Sequence, residues 1–450
     1  MKKLILFVLV CLSAFPVFAK TEEIVLDNGM KIIVREDHRA PVVVSQVWYR
    51  IGSTYEHDGI SGLSHALEHM MFKGTQTLKP GEFSEIIAAN GGRENAFTSR
   101  DYTAYFQRIS NDRLELCLKL EADRMRNVIF LPEEFDKEIA VVQEERRWRV
   151  DNKPKSKLLE QFYATAFLTS PVRIPTIGWM QDLKDMKMED AAAWYKQWYA
   201  PNNATLVVVG DVKAADVFSL ARKYFSGIER SVIEPPKPRP EIEQNGERRI
   251  SLYGNTASPY LLMGYKAPVL LDEGADQKEI YALDVLSGIL DGGQSARISK
   301  NMLRGDEIAV EAGTSYDPFD RLTGLFMFAA VPNKDVKPEQ LEQAFKKEIN
   351  ELQQNLVTAE ELERVKAQVI AGKVYGRDSM FNLGMQIGML DSVGLDWRLL
   401  DAYVDEIRSI TAEDVRRVAK KYFDQSQLTV ATLWPEKEQQ KEAENKGEAQ

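Results

Sequence analysis

Two stretches of this chain repeat one another. Residues 189–209 read EDAAAWYKQWYAPNNATLVVV and residues 413–433 read EDVRRVAKKYFDQSQLTVATL, at a constant offset of 224 and without a gap. In both, Glu-Asp opens a helical pattern, an aromatic pair closes it (Trp198-Tyr199, Tyr422-Phe423), and a β-rich run follows. A second echo pairs Pro132-Glu-Glu-Phe135 with Ala359-Glu-Glu-Leu362. Because the matched segments include both helix-period and strand patterns, they mark a duplicated unit. Such a chain has to build two similar cores, and its 450 residues are in any case too many for one.

The border between the copies is visible. Pro235, Pro236, Pro238 and Pro240 crowd one short stretch, followed by charged residues and Asn245-Gly246. Prolines this dense break both helix and sheet ladder, so 233–246 reads as a stiff, extended linker between 20–232 and 247–436. Residues 31–34, 42–49, 103–106 and 205–209 read as strands. Residues 111–130, 133–150, 339–355 and 359–374 read as helices. Hairpin-like neighbours outnumber regular βαβ alternation. The expected fold class is therefore α+β: two homologous domains, each a largely antiparallel sheet packed with helices.

The two ends read differently. Lys2-Lys3, an apolar run from Leu4 to Phe15 and Val17-Phe18-Ala19 have the pattern of a secretory signal peptide, residues 1–19, cut after Ala19. That run is too short to span a membrane and no later stretch is longer, so no stable membrane anchor is expected. The protein would be secreted, and periplasmic if its source is a Gram-negative bacterium. Residues 437–450 have no apolar side chain larger than Ala and are expected to be disordered. A formal net charge of −10 argues against nucleic acid as a partner. With Cys11 in the signal, Cys117 is the one cysteine left, at an apolar helix position, and reads as a small buried hydrophobe.

Histidine is scarce, with 4 in the chain, and two of them form a motif. In Ser64-His-Ala-Leu-Glu-His-Met-Met-Phe-Lys-Gly74, Ser64 or Ser61 can cap a helix that Gly74 can end. His65 and His69 are four apart, so both rings leave one face and can grip one Zn²⁺. Glu68 borders the metal position and can take a proton from water there. The order is H-x-x-E-H, the inverted zincin pattern. His38 and His57 lie apart from it and read as loop residues.

Hydrolysis needs a third protein ligand. The helix from Glu133 offers Glu134, Glu138, Glu144 and Glu145. Glu138 and Glu145 are seven apart, on one face with Val141, while Glu144 shares a solvated face with Lys137, Ala140 and Arg147. The phase favours Glu145 as the inward carboxylate, with Glu138 beside it.

With these residues in place, the chain resembles the pitrilysin/insulinase-type zinc metallopeptidases (inverzincins), in the short branch that includes mitochondrial processing peptidase. His65-Ala-Leu-Glu68-His69 matches that family's zinc motif. Its third ligand lies 76 residues after the second His, which is the position of Glu145, with an acidic supporting residue seven positions earlier, here Glu138. Asn90-Gly-Gly-Arg-Glu-Asn-Ala-Phe-Thr98 resembles the stretch holding the active-site edge strand, and Pro201–Asp211 the end of the first domain. The resemblance spans about 25–435 and implies a zinc-bearing catalytic domain, 20–232, followed by a homologous domain without the zinc motif. It implies one Zn²⁺ per chain on His65, His69 and Glu145, with Glu68 as general base of an endopeptidase hydrolysing extended or unfolded peptides by metal-activated water. The peptide would add a strand along Asn95, Ala96, Phe97 and Thr98.

One family feature is missing. Active members hold substrate with an Arg and a Tyr of the second domain; in the matching stretch here, Leu303–Val310, those positions carry Asp306 and Val310. Arg304 and Tyr316 fit the flanks and not the pair. The expectation is a heterodimer in which a homologous subunit supplies the Arg/Tyr clamp, with a homodimer as the alternative. A reading of another class is a catalytically silent structural or assembly subunit, against which the intact metal set argues.

Overall fold

The computed structural model describes residues 20–436. The expected signal peptide, 1–19, and disordered tail, 437–450, lie outside the described residues. Among the described residues, eleven strands form two sheets. The first contains β1 (Thr21–Val25), β2 (Lys31–Glu36), β3 (Val42–Tyr49), β4 (Arg93–Thr98), β5 (Thr103–Ser110) and β6 (Ala204–Gly210), in the order β1-β2-β6-β3-β5-β4. The second contains β7 (Arg248–Gly254), β8 (Tyr260–Ala267), β9 (Ala309–Ser315), β10 (Gly324–Pro332) and β11 (Leu428–Pro435), in the order β7-β11-β8-β10-β9.

Leave β1 aside and the two orders correspond strand for strand. The repeated segments become helix Met188–Trp198 with β6, and helix Ala412–Tyr422 with β11. β6 and β11 each run parallel to one neighbour (Ile33↔Val207, Ala431↔Ile250) and antiparallel to the other (Val47↔Leu206, Ala431↔Leu262). The remaining pairs are antiparallel. All of β6 is buried, which is why its Val-rich run lacks polar alternation. The fold is α+β, two sheet-and-helix halves.

One face of each sheet packs on helices of its own half. The opposite face is covered by a helix from the other half. Helix Met380–Val393 sets Leu383 and Ile387 on Ile33, Trp48, Val207 and Val209 of the first sheet. Helix Pro154–Ala166 sets Leu158 and Phe162 on Leu262, Leu325, Ala431 and Leu433 of the second. Polar contacts follow the same exchange: buried Asp391 pairs with Lys31 (2.5 Å) and Arg50 (3.0 Å), and Arg321 with Asp101 (2.9 Å). The division in sequence is therefore not the division in packing. Residues 231–245 carry neither helix nor strand, and they are tied down, since Glu241 accepts the N–H groups of Leu168, Thr169 and Ser170.

The crossing at Met380–Val393 is close because Gly388 has no side chain. A Cβ there would lie 2.1 Å from Cε2 of buried Trp48. Gly388→Ala is expected to destabilise the protein by about 1–3 kcal/mol, as overpacking does. Gly372→Ala, in helix Ala359–Tyr375 where a Cβ meets nothing within 4 Å, should stabilise by roughly 0.5–1 kcal/mol. Urea unfolding of the two variants checks the contrast; equal stabilities would mean that the helix is free to lift from Trp48.

Candidate metal and catalytic site

The motif helix is Leu63–Met70. Neither Ser61 nor Ser64 caps it. Gly62 enters in the left-handed region (φ 86), and no side chain of the flanking residue bonds the first turn. The buried Glu56 carboxylate does so instead, accepting the N–H groups of Gly62 and Ser64 at 2.7 Å each. Its pKa is pushed up to about 7, by burial first, against those two hydrogen bonds. Ser61 Oγ donates to Asp182 (2.5 Å), and Ser64 Oγ accepts from Trp194 Nε1 (3.2 Å). Gly74 does not end the helix either; it takes a left-handed conformation (φ 101) after a further turn, close against Leu78 and Pro80.

His65 and His69 leave one face, with ring centroids 4.9 Å apart. The third group comes from helix Pro132–Arg146: Glu145 Oε2 lies 3.5 Å from Nε2 of each histidine. Ligands about 2.0–2.1 Å from a tetrahedral cation are separated by about 3.4 Å, so this spacing fits one ion between them. A second observation agrees. Glu145 Oε2 is buried and has no hydrogen-bond partner, an acceptor facing two ring nitrogens. Burial, then His69 and Arg149, push the His65 imidazole down to about 3, so it stays neutral with a lone pair to give. The donor set fits a cation.

Glu138 stands behind. Its Oε2 lies 3.0 Å from His69 Nδ1 and its Oε1 2.6 Å from Lys73 Nζ. The contact places a proton on Nδ1 and leaves Nε2 facing Glu145. Arg149 Nε, one turn on, lies 2.9 Å from Glu145 Oε1. Lys73 is four residues beyond His69, a spacing that could have flagged it. Glu138→Gln should weaken zinc binding by about 10- to 100-fold, because the amide supports His69 less well; a competitive chelator titration reads this, and wild-type affinity would remove Glu138 from the site.

Helix phase separates the adjacent carboxylates. The Glu144 side chain is 71% exposed and pairs with Arg147 (2.8 Å), against 18% for Glu145. Val141, expected on the inward face, is instead 48% exposed. The buried stripe runs through Phe135, Glu138, Ile139, Val142 and Arg146, on the other side of Glu138, and Val141 sits about 60° round the helix beyond its rim.

Glu68 is half-buried. Thr98 Oγ1 donates to its Oε2 at 2.5 Å, and burial raises its pKa against that bond. Thr98 ends β4, an edge strand paired with β5 alone. The four residues expected to meet substrate face different ways. Thr98 is engaged by Glu68, and Phe97 packs on Trp48 at 5.6 Å on the sheet's other face. Asn95 is exposed, with Oδ1 accepting the Ala96 N–H (2.9 Å).

In the second half, β9 occupies the place that β4 has in the first. Asp306 is exposed and Val310, on β9, is 67% exposed. Arg304 is held by the carbonyls of Gln294 and Ser299, and Tyr316 OH donates to Pro268 O (2.6 Å) while its ring stacks on Phe326. His38 pairs with Asp211 (2.6 Å) and His57 Nδ1 with Asp58 O, and neither belongs to the group formed by His65, His69 and Glu145. Cys117 is fully buried, its thiol pushed up to about 12 by burial. A hollow of about 350 Å³ adjoins His65 and Thr98. No described helix is long and apolar enough to cross a membrane.

The chain's likeness to known proteins follows this geometry. Residues 31–178 match the insulinase family (peptidase family M16), and residues 185–369 match the peptidase M16 inactive domain. The chain is similar to zinc protease PqqE of Helicobacter pylori (strain ATCC 700392 / 26695), 32% identical over 422 residues, which are 92% of this chain and 93% of that one. The crystal structure of a protease from Helicobacter pylori superposes with a TM-score of 0.86 at 30% identity, covering 93% of this chain and 100% of that one. The first half of the periplasmic protease PqqL from Escherichia coli shares the fold at 19% identity, with a TM-score of 0.78 and 92% of each chain covered. With both halves matched and the likeness running over nine-tenths of its length, the chain belongs to the insulinase family of peptidases, peptidase family M16.

Proposed function

We propose that this protein is an exported zinc endopeptidase acting on extended peptides, and that it is the zinc-bearing subunit of a heterodimer. The observation that carries the reading is Glu145 Oε2, buried and unpartnered at 3.5 Å from Nε2 of both His65 and His69, with Glu68 on the same helix as the histidines and held by Thr98 at the end of an edge strand. His65, His69 and Glu145 would hold one Zn²⁺. When bound, Zn²⁺ supplies Lewis acidity, lowering the pKa of water and polarising a carbonyl.

The chain's own residues do the rest. The free edge of β4 aligns the peptide by main-chain hydrogen bonds, which read an extended conformation more than a side-chain sequence. Glu68 takes the proton of the attacking water on a carboxylate oxygen and returns it to the leaving amine. Thr98 holds the other oxygen of that carboxylate, so the base keeps one orientation. Glu138 holds His69, and Lys73 holds Glu138. Export rests on the leader-like residues 1–19.

The partner is proposed from what the second half lacks. It has no copy of the H-x-x-E-H motif, Asp306 and Val310 cannot donate as Arg and Tyr would, and Arg304 and Tyr316 are already engaged within their own half. A homologous subunit supplying that pair would complete the site. Purified alone, the chain is expected to bind zinc and cleave a quenched peptide at least about tenfold more slowly than when mixed with such a subunit, an oriented-donor effect of about 1.4 kcal/mol or more. Full activity alone, unchanged by the second subunit, would favour the self-sufficient homodimer.

A further inference from the structure

We propose that the hollow beside His65 receives a carboxylate of the peptide close to the bond that is cut, with Arg100 as the specificity-determining residue. This rests on the peptidase reading above and adds a substrate class to it. The hollow, about 350 Å³, has His65 and Thr98 in its lining, so whatever fills it lies beside one of the metal-site histidines and beside the residue that holds Glu68. Its walls include the apolar residues Leu159, Val172 and Ile174.

Four charged side chains also line it, and three are already neutralised. Glu160 takes a two-pronged bond from Arg146 (2.6 and 2.8 Å). Arg173 donates through Nη2 to both carboxylate oxygens of Asp58 (2.8 and 2.7 Å). Arg149 is engaged by Glu145 at 2.9 Å. Arg100 is the exception. Its guanidinium lies 4.2 Å over the ring of Tyr163 and, among the described residues, makes no ion pair. Asp101, its neighbour in sequence, is held by Arg321 (2.9 Å) and Thr54 (2.6 Å). Tyr163 hydrogen-bonds Arg100, and Asp320 and Asp101 act on it through space without forming an ion pair. A guanidinium keeps its charge in every environment of this kind. Tyr163 supports the cation from one side, by its ring and by a side-chain hydrogen bond, and with no carboxylate paired to it the remaining N–H groups of the guanidinium can take one. A half-buried guanidinium without an ion-pair partner, in a hollow whose other charged groups are already paired, selects an acid over its amide.

The carboxylate can come from an Asp or Glu side chain or from a peptide's C-terminus, and the test separates these. The full chain carrying Glu68→Gln, loaded with zinc, is titrated with fluorescent peptides. One set is amidated at the C-terminus and has a single Asp or Asn walked through the positions flanking the bond; the other compares the Asn peptide with a free and an amidated C-terminus. At one position Asp should bind roughly tenfold tighter than Asn. If only the free C-terminus has that effect, the pocket reads chain ends. Arg100→Gln should bring the paired Kd values together, and Arg100→Lys should keep part of the difference. The Asp-against-Asn comparison with Arg100 intact stands without either variant, should they fold poorly. No carboxylate preference at any position overturns the proposal. Carboxylate-selective binding here, together with no cleavage by the chain with Glu68 intact and the homologous subunit present, would leave the pocket and overturn the peptidase reading instead.

Discussion

The Glu68→Gln protein is expected to keep its zinc and to lose peptide turnover by about two to four orders of magnitude, the usual contribution of a positioned general base. Glutamine has nearly the same shape, and its amide oxygen can still accept the Thr98 hydroxyl that lies 2.5 Å from Glu68 Oε2. It cannot accept a proton from water or deliver one to an amine. Glu68 is not one of the three donors that lie within 4.8 Å of one another, so its replacement leaves them intact. Burial raises its pKa, which makes the carboxylate a better proton acceptor than a solvated one. Quenched-peptide turnover and metal content, measured on the same preparation with the homologous subunit present, check both halves of the expectation. Near-normal turnover would remove Glu68 from the chemistry, and loss of zinc would place it among the ligands.

The second large effect separates neighbours. Glu145→Gln should reduce zinc from about one ion per chain to a small fraction, because a charged ligand becomes a weak neutral one. Glu144→Gln should leave it near wild type, since that side chain is 71% exposed and reaches only Arg147. Metal analysis after dialysis decides it. The opposite pattern would mean that helix Pro132–Arg146 is turned by about 100° from the orientation described, the step between adjacent residues.

The parts of the site visible in the chain are those set by local geometry. His65, Glu68 and His69 share a helix, and 3.6 residues per turn place them without knowledge of the rest. The same periodicity separates Glu145 from Glu144. It misled at Val141, because a buried stripe has a rim and a count of residues does not say on which side of Glu138 the stripe lies. It misled again at the helix ends: Ser61 and Ser64 are good caps by type, but Glu56 and Asp182 compete for the same groups through space.

Duplication, the α+β class and the strand pattern around β6 and β11 were also written in the sequence, because repeats and periodicity survive without contacts. Contacts between distant residues were decided only by the tertiary structure. The exchange of helices Pro154–Ala166 and Met380–Val393 between the two sheets depends on Gly264 and Gly388 meeting Phe162 and Trp48, pairs that are 102 and 340 residues apart. The bond from Thr98 to Glu68 and the unpaired Arg100 beside Tyr163 arise in the same way. A sequence states which side chains carry charge, but which of those charges is left without a partner is known only once every other one has been placed.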